Sequence, residues 1–233
     1  MAGRGSFIES FPLFGYNLED YEELFTEKLN LLLRVNENER VTWKGGFRPE
    51  LKDQQILPRA YRQKLDIWIA VGGTPQSVLR AARLGLPLMV AIIGGSPIQF
   101  KPLFELYEKT YLDSGHDPAT MRMGVHAHAF LGEDDKAVSD KYFPLYAAQM
   151  DRVGRSRGWP PYQRQQFDFG KTRNGALLIG EPNQVADKIL YLRDTFGLTR
   201  FAAHMDVGGP QHKDLMKSIE LFGTKVLPQV KGD

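Results

Sequence analysis

From Leu18 to Val35 the apolar residues Leu18, Tyr21, Phe25, Leu29 and Leu32 recur every three or four positions, which is the period of one helical face, and Glu19, Asp20, Glu22 and Glu23 fall in its first turns. A helix with one apolar side is expected there. Residues 36–64 break the pattern: they are polar, carry Pro49, Pro58 and the pair Gly45-Gly46, and read as a long connecting loop with room for a short hairpin around Val41-Thr42-Trp43. One pattern then occurs twice. Ile67-Trp68-Ile69-Ala70-Val71 runs into Gly72-Gly73-Thr74-Pro75 and a helix through Leu84 that stops at Gly85. Leu88-Met89-Val90-Ala91-Ile92-Ile93 runs into Gly94-Gly95-Ser96-Pro97 and a helix with Leu103, Phe104, Tyr107 and Tyr111 on one stripe. Each unit is a strand, a glycine turn, a hydroxyl residue at the helix N-cap, proline at the first helical position, and a helix. Strands that are apolar throughout imply burial on both faces, hence a parallel sheet covered by helices.

Two less regular units follow. Met121, Met123, Val125, Ala127 and Ala129 alternate with Arg122, Gly124, His126, His128 and Phe130, which predicts a strand, and a helix is expected from about Glu133 into the Arg152 region. Residues 151–175 read as a loop rich in basic residues: Arg152, Arg155, Arg157, Arg164, Lys171 and Arg173. Its length makes it a candidate lid over an anionic cofactor. Glu181-Pro182 opens another helix that ends near Gly197, Arg200 to Asp206 is the last strand, and Gly208-Gly209-Pro210 leads into a closing helix. The expected fold class is α/β. Four βα units make about half of an eight-stranded barrel, read here as one domain over residues 1–233.

Composition narrows the partners. Hydrophobic residues make up 42% and charged residues 25% of 233 positions, which suffices for an ordinary core. The 30 basic and 28 acidic residues leave a formal charge of +2, too balanced for a nucleic-acid footprint, so a small-molecule partner is expected. Cysteine is absent, which rules out disulfides, thiolate metal sites and a cysteine nucleophile. No apolar run approaches the ~20 residues that span a bilayer, and no secretory pattern opens the chain, so no membrane partner and a cytoplasmic location are expected.

The main candidate site is Gly72-Gly73-Thr74-Pro75-Gln76-Ser77. A helix N-terminus offers unpaired N–H groups and partial positive charge, and glycines let a phosphate approach the backbone. Pro75 has no N–H, which leaves Gly73, Thr74, Gln76 and Ser77 as donors. A tight turn that merely caps a helix fits the same residues. Gly94-Gly95-Ser96-Pro97 carries the same two readings. Arg4, between Gly3 and Gly5, is accessible to a phosphate by two parallel hydrogen bonds, or is simply a terminal arginine. His126 and His128 face the same way, as do His204 and Asp206, a pattern similar to metal-dependent barrel hydrolases. Those enzymes carry their histidine pair on the first strand, so no metal ligands are assigned, and contact with a cofactor or substrate is the preferred role. Gly170-Lys171-Thr172 has the ending of a nucleotide-binding P-loop but lacks its earlier glycine, Gln165 standing there.

Read together, these stretches resemble the luciferase-like flavin-dependent monooxygenase family. The residues that carry the resemblance are Ala2-Gly3-Arg4-Gly5-Ser6-Phe7-Ile8-Glu9-Ser10-Phe11-Pro12-Leu13-Phe14-Gly15, the run from Ile67 to Ser77, Gly85-Leu86-Pro87-Leu88 leading to Ile92-Ile93-Gly94-Gly95, and the closing run from Ile219 to Val226. The resemblance implies a (β/α)8 barrel of the bacterial luciferase type. Reduced FMN, delivered by a separate flavin reductase, would react there with dioxygen to oxidise a small organic substrate, and the chain would form a homodimer. The deazaflavin-dependent branch of the same superfamily is the alternative for the cofactor. By position, Arg4 matches the arginine that grips the flavin phosphate, while Gly73, Thr74 and Ser77 match the phosphate loop after the fifth strand. Residues 151–175 match a mobile active-site loop, and His128 matches a histidine near a strand end, the catalytic candidate. Family members begin with about four further strands that carry much of the flavin-ring and substrate pocket. The resemblance therefore implies the last four βα units of a barrel, truncated and inactive if those strands are required. A flavin-binding protein without catalysis and a metal-dependent barrel hydrolase are the other readings.

Overall fold

Contacts within the chain separate into two units, Met1–Ala70 and Val71–Asp233, where the sequence leads one to expect a single domain over 1–233. The computed structural model describes residues 1–5 and 7–231; Ser6, part of the stretch that carries the family resemblance, lies outside them.

The first unit opens with Ala2, whose N–H donates to the Trp68 carbonyl at 2.7 Å and whose carbonyl accepts from the Ala70 N–H at 2.8 Å, a parallel bridge. A short helix α1 (Ser10–Leu13) and a 3₁₀ turn over Leu18–Asp20 lead into α2 (Tyr21–Glu37). Asn17 caps that turn by accepting the Glu19 N–H. Of the expected apolar stripe, Leu29 is buried, but Leu18 and Leu32 are exposed and Leu24 and Leu31 take the inner positions. The 3₁₀ turn has three residues per turn, so residues before Tyr21 are out of phase with the helix that follows.

The connecting segment 36–64 carries an antiparallel hairpin, whose first strand includes the Val41-Thr42-Trp43 stretch where the sequence leaves room for a short hairpin. Strands β1 (Arg40–Trp43) and β2 (Leu51–Gln55) pair Arg40 with Gln55 and Trp43 with Leu51. Only Val41 of these two strands is buried, so no alternation of apolar residues betrays them. Polar contacts hold the hairpin instead. Arg40 Nε donates to Asp53 Oδ1 at 2.8 Å, and the Glu27 carboxylate on α2 accepts the Gly46 N–H at 2.7 Å and the Phe47 N–H at 3.2 Å.

Strand β3 (Ile69–Val71) ends with the first residue of the second unit, which continues through α3 (Pro75–Arg83), β4 (Leu88–Ala91), a 3₁₀ turn, α4 (Lys101–Asp113) and β5 (Met123–Leu131). Then come α5 (Asp135–Arg155), α6 (Arg164–Lys171), β6 (Leu178–Gly180), α7 (Pro182–Phe196), β7 (Arg200–His204), α8 (His212–Leu221), a π-helical turn over Phe222–Val226, and α9 (Leu227–Lys231). The strands form a sheet in the order β3-β4-β5-β6, with β7 also on β5. All pairings of β5 are parallel, so the molecule is α/β with a parallel sheet, as expected.

The nine residues of β5 serve three neighbours. Met123 to His126 pair with Leu88 to Ala91, Gly124 to His128 pair with Arg200 to His204, and Ala129 to Leu131 pair with Leu178 to Gly180. The period-two composition of β5 does not mark an inside and an outside: every residue but His126 is buried. Helices α5, α7 and α8 all contact this strand, and its small residues, Gly124, Ala127 and Ala129, permit close approach. Strand β6, only three residues long, is not anticipated by the sequence.

The segment 151–175, read from sequence as a loop, is mostly helical. It holds the last turn of α5 and all of α6. Helix α6 starts on a reciprocal cap between Gln163 and Gln166, and the Tyr162 N–H donates to Asp151 Oδ1 at 2.7 Å. Phe167 is fully buried in a cluster with Phe130, Tyr142, Tyr146 and Ile179. Gly154, Gly158 and Pro160-Pro161 dominate the composition and hide this helix. Among the described residues no helix is long and apolar enough to cross a membrane.

Candidate functional site

The helix start after β3 forms much as its sequence demands. Thr74 is the N-cap residue in extended conformation and Pro75 takes the first helical position. Gly73 has φ +131°, a region that side-chain-bearing residues rarely enter, and an added Cβ at Gly72 or Gly73 would meet nothing within 4 Å. The backbone is therefore bare on the approach to the helix end. The Thr74 hydroxyl makes no capping bond, contrary to the expected hydroxyl cap. Ser77 is buried and its N–H donates to the Thr74 carbonyl at 3.1 Å. Of the four expected donors, Gly73, Thr74 and Gln76 keep N–H groups for which no acceptor is found among the described residues. Three such amides at the positive end of a nine-residue helix suit a phosphate.

Gly94 and Gly95 stand in a different setting. Ser96 and Pro97 again begin a helical turn, with no side-chain cap, but the turn is 3₁₀. Both glycines line a cavity of about 620 Å³. Ile93 lies beside them, Tyr146 and Met150 of α5 form a second wall, and Trp159, Tyr162 and Phe169 a third. These aromatic residues come from the segment expected to be a lid. Two of its basic residues are engaged elsewhere: Arg164 pairs with Asp140 and Asp168, and Lys171 with Asp135.

The cavity wall is linked to the histidines through Tyr146. Parallel pairing sets His128 opposite His204, and His126 lies on the same face two residues earlier. The three imidazoles form a cluster with ring centres 5.2, 5.3 and 6.4 Å apart. His128 Nδ1 is 3.0 Å from the Tyr146 hydroxyl oxygen, so Tyr146 belongs both to the cavity wall and to the histidine cluster. Burial, with His204 and His126 nearby, pushes the His128 pKa down to about 4. Burial, then His204, also lowers that of His126. Both are neutral imidazoles at pH 7 and can donate or accept one hydrogen bond at each nitrogen. Burial holds the Tyr146 phenol well above its ordinary range and pushes Tyr162 up to about 12, so both remain protonated donors. His204 Nε2 lies 2.8 Å from Asp206 Oδ1, on the more exposed side. Among the described residues no group of three or more histidine, cysteine, aspartate or glutamate residues could hold a metal ion.

Arg4 belongs to the first unit. Its guanidinium is paired with Glu22 and sits 4.8 Å from the centre of the Tyr21 ring. Sequence reasoning names the helix start, the glycines and His128 as candidates, and does not name the cavity-lining Tyr146, Trp159, Tyr162 and Phe169. The available signal is the spacing of Tyr142, Tyr146 and Met150 along one face of a helix, and the aromatic density between Trp159 and Phe169.

A family model described as luciferase-like monooxygenase matches residues 1–199. Among solved structures, monooxygenase RslO1 from Streptomyces bottropensis is 24% identical, with a TM-score of 0.76 over 97% of this chain and 67% of that one. An F420-dependent secondary alcohol dehydrogenase, in complex with an F420-acetone adduct, is 14% identical with a TM-score of 0.72 over 99% and 68%. The oxygenating constituent of 3,6-diketocamphane monooxygenase from Pseudomonas putida, in complex with FMN, is 16% identical with a TM-score of 0.68 over 97% and 69%. The chain spans about two thirds of the length of each, and the likenesses show the α/β fold. With most of its length matched by the family model, the chain belongs to the luciferase-like monooxygenase family.

Proposed function

We propose that this chain is a flavin-dependent monooxygenase domain, its βα units a portion of a (β/α)8 barrel, with FMN as the cofactor and a small, largely apolar organic molecule as the substrate. The observation that carries this is the bare helix start, where the N–H groups of Gly73, Thr74 and Gln76 have no acceptor among the described residues. Those amides would hold the cofactor phosphate. Arg4, in the first unit, is proposed by itself as an anion ligand, which requires it to release Glu22.

Reduced flavin, delivered by a separate reductase, supplies the oxidising chemistry with dioxygen. The chain's own groups do the rest. Trp159, Tyr162 and Phe169 exclude water from the cavity, and Gly94 and Gly95 leave room beside it. The Tyr146 hydroxyl and the neutral His128 hold one hydrogen bond at the cavity edge, where a substrate oxygen could be oriented.

A titration separates the readings. FMN should bind at least tenfold more tightly than riboflavin, which lacks the phosphate, and Gly73→Asp should abolish that difference by placing a carboxylate on the amides. Equal affinity for FMN and riboflavin would overturn the phosphate assignment. Tighter binding of the deazaflavin F420 than of FMN would move the chain to the branch illustrated by the F420-dependent dehydrogenase. With reduced FMN, dioxygen and a panel of ketones and aldehydes, a substrate-dependent oxygenated product is expected; binding without product would make this a non-catalytic flavin protein.

A further inference from the structure

Lys188 on α7 is 5% exposed, a rare position for an ammonium group. Its Nζ donates to the carbonyls of Leu177 at 2.7 Å, Gly170 at 2.9 Å and Lys171 at 3.4 Å. An ammonium has three N–H donors, and three acceptors surround it. Gly170 and Lys171 are the last two residues of α6, whose final carbonyls have no partner within the helix, and Leu177 immediately precedes β6. The returning chain is also tied by the Leu177 N–H, which donates to the Gly170 carbonyl at 2.8 Å. Gly170 and Leu177 both line the 620 Å³ cavity beside Phe169.

We infer that Lys188 is a positioning residue: it closes the end of α6 and the turn before β6 against each other, and so fixes the wall of the cavity that Phe169, Gly170 and Leu177 form. The energetic argument is one of satisfaction. A buried ammonium is costly unless its donors are met, and here one side chain meets three carbonyls from both ends of a connection that has no other regular structure. Burial pushes the Lys188 pKa down to about 7, while hydrogen bonding to three carbonyls favours the charged form. Helix α7 is thereby joined to the cavity without contributing a side chain to its lining. The inference rests on the proposed function only for the use of the cavity, and its test reads no turnover.

The test is hydrogen exchange on the full chain, followed at the amides of residues 169–177 and of Met123–Leu131. Replacing lysine by alanine keeps Cβ and removes a fragment the size of n-propylammonium, and a second cavity of about 730 Å³ that runs past Lys188 offers that ion a route in. In Lys188→Ala, protection at 169–177 should fall at least tenfold while β5 is unchanged, and n-propylammonium should restore it better than 1-propanol, which has the same shape but one donor. A local loss that the two additives reverse equally, or not at all, would overturn the inference. So would protection within twofold of the parent protein, or an equal loss across β5. Should the alanine variant fail to fold, Lys188→Met retains a long stem without donors; the same local loss supports the inference, and protection like that of the parent protein refutes it.

Discussion

His128 Nδ1 lies 3.0 Å from the hydroxyl oxygen of Tyr146, and both side chains are buried. A residue on β5 and one on α5 thus share a hydrogen bond at the edge of the cavity, with His204 and His126 behind it. Burial and the two neighbouring imidazoles, not the bond itself, keep the His128 ring neutral, because charging it would place a desolvated cation beside them.

Stability should therefore depend on acidity in a defined window. His128 titrates near 4 in the folded chain and near 6.5 when unfolded. The folded form binds fewer protons between these values, so the stabilisation is complete above pH 6.5 and is lost as pH falls toward 4. The loss should reach on the order of 3 kcal/mol. Urea unfolding at pH 7, 5.5 and 4.5 checks this: the parent protein should weaken across the series, and His128→Phe should be much flatter. An identical slope in both would remove His128 as the origin.

Tyr146→Phe removes the hydroxyl and leaves the His128 nitrogen buried without its partner. The cost should be about 1–3 kcal/mol, more than the net worth of one hydrogen bond, because the orphaned group loses solvent as well. Chemical denaturation measures it. In the double variant Tyr146→Phe with His128→Phe, both polar groups are gone, and the loss should be smaller than the sum of the single losses.

Gly208 and Gly209 offer a matched pair. Both have positive φ, +82° and +65°, so alanine at either is strained by about 1–2 kcal/mol. An added Cβ at Gly208 would stand 2.5 Å from the Leu145 carbonyl oxygen, whereas at Gly209 it would meet nothing within 4 Å. Gly208→Ala should cost at least ~1–3 kcal/mol more than Gly209→Ala, the excess being the overlap with the backbone of α5. Comparable denaturation midpoints would show that this loop moves freely away from α5.

Gly94→Leu tests the cavity. An added Cβ at Gly94 meets nothing within 4 Å, so the larger side chain should project into open space and leave stability within ~0.5 kcal/mol of the parent. The occupied volume should lower kcat/KM for the bulkiest substrates at least tenfold while sparing the smallest. A uniform loss for all sizes would place the substrate elsewhere.

Much of this architecture is legible from local rules. The run Gly72-Gly73-Thr74-Pro75 places a helix start within a residue of where it occurs, and Gly197 ends α7 in the left-handed conformation that glycine adopts cheaply. The two regular βα units are recognisable because continuous apolar strands and proline-started helices depend on neighbours a few positions away. Where polar contacts hold an element, as in β2 of the hairpin, the hydrophobic pattern is silent, and only the Val41-Thr42-Trp43 stretch of β1 hints at it. Where glycine and proline crowd the flanks, as around α6, composition points to a loop although the buried Phe167 makes a helix worthwhile.

By itself the sequence determines the α/β class, the helix start that suits a phosphate, and the alignment of His126 with His128, since each follows from periodicity or from the conformational needs of single residues. Tertiary structure decides which residues meet. The pairing of β7 with β5 brings His204 to His128, and the packing of α5 brings Tyr146 to both the histidine and the cavity. The burial of Lys188 under three carbonyls from another helix and its following turn is of the same kind. These encounters join positions far apart in the chain, and the order of strands in a sheet is set by the total burial and hydrogen bonding of the whole unit, which no local window records.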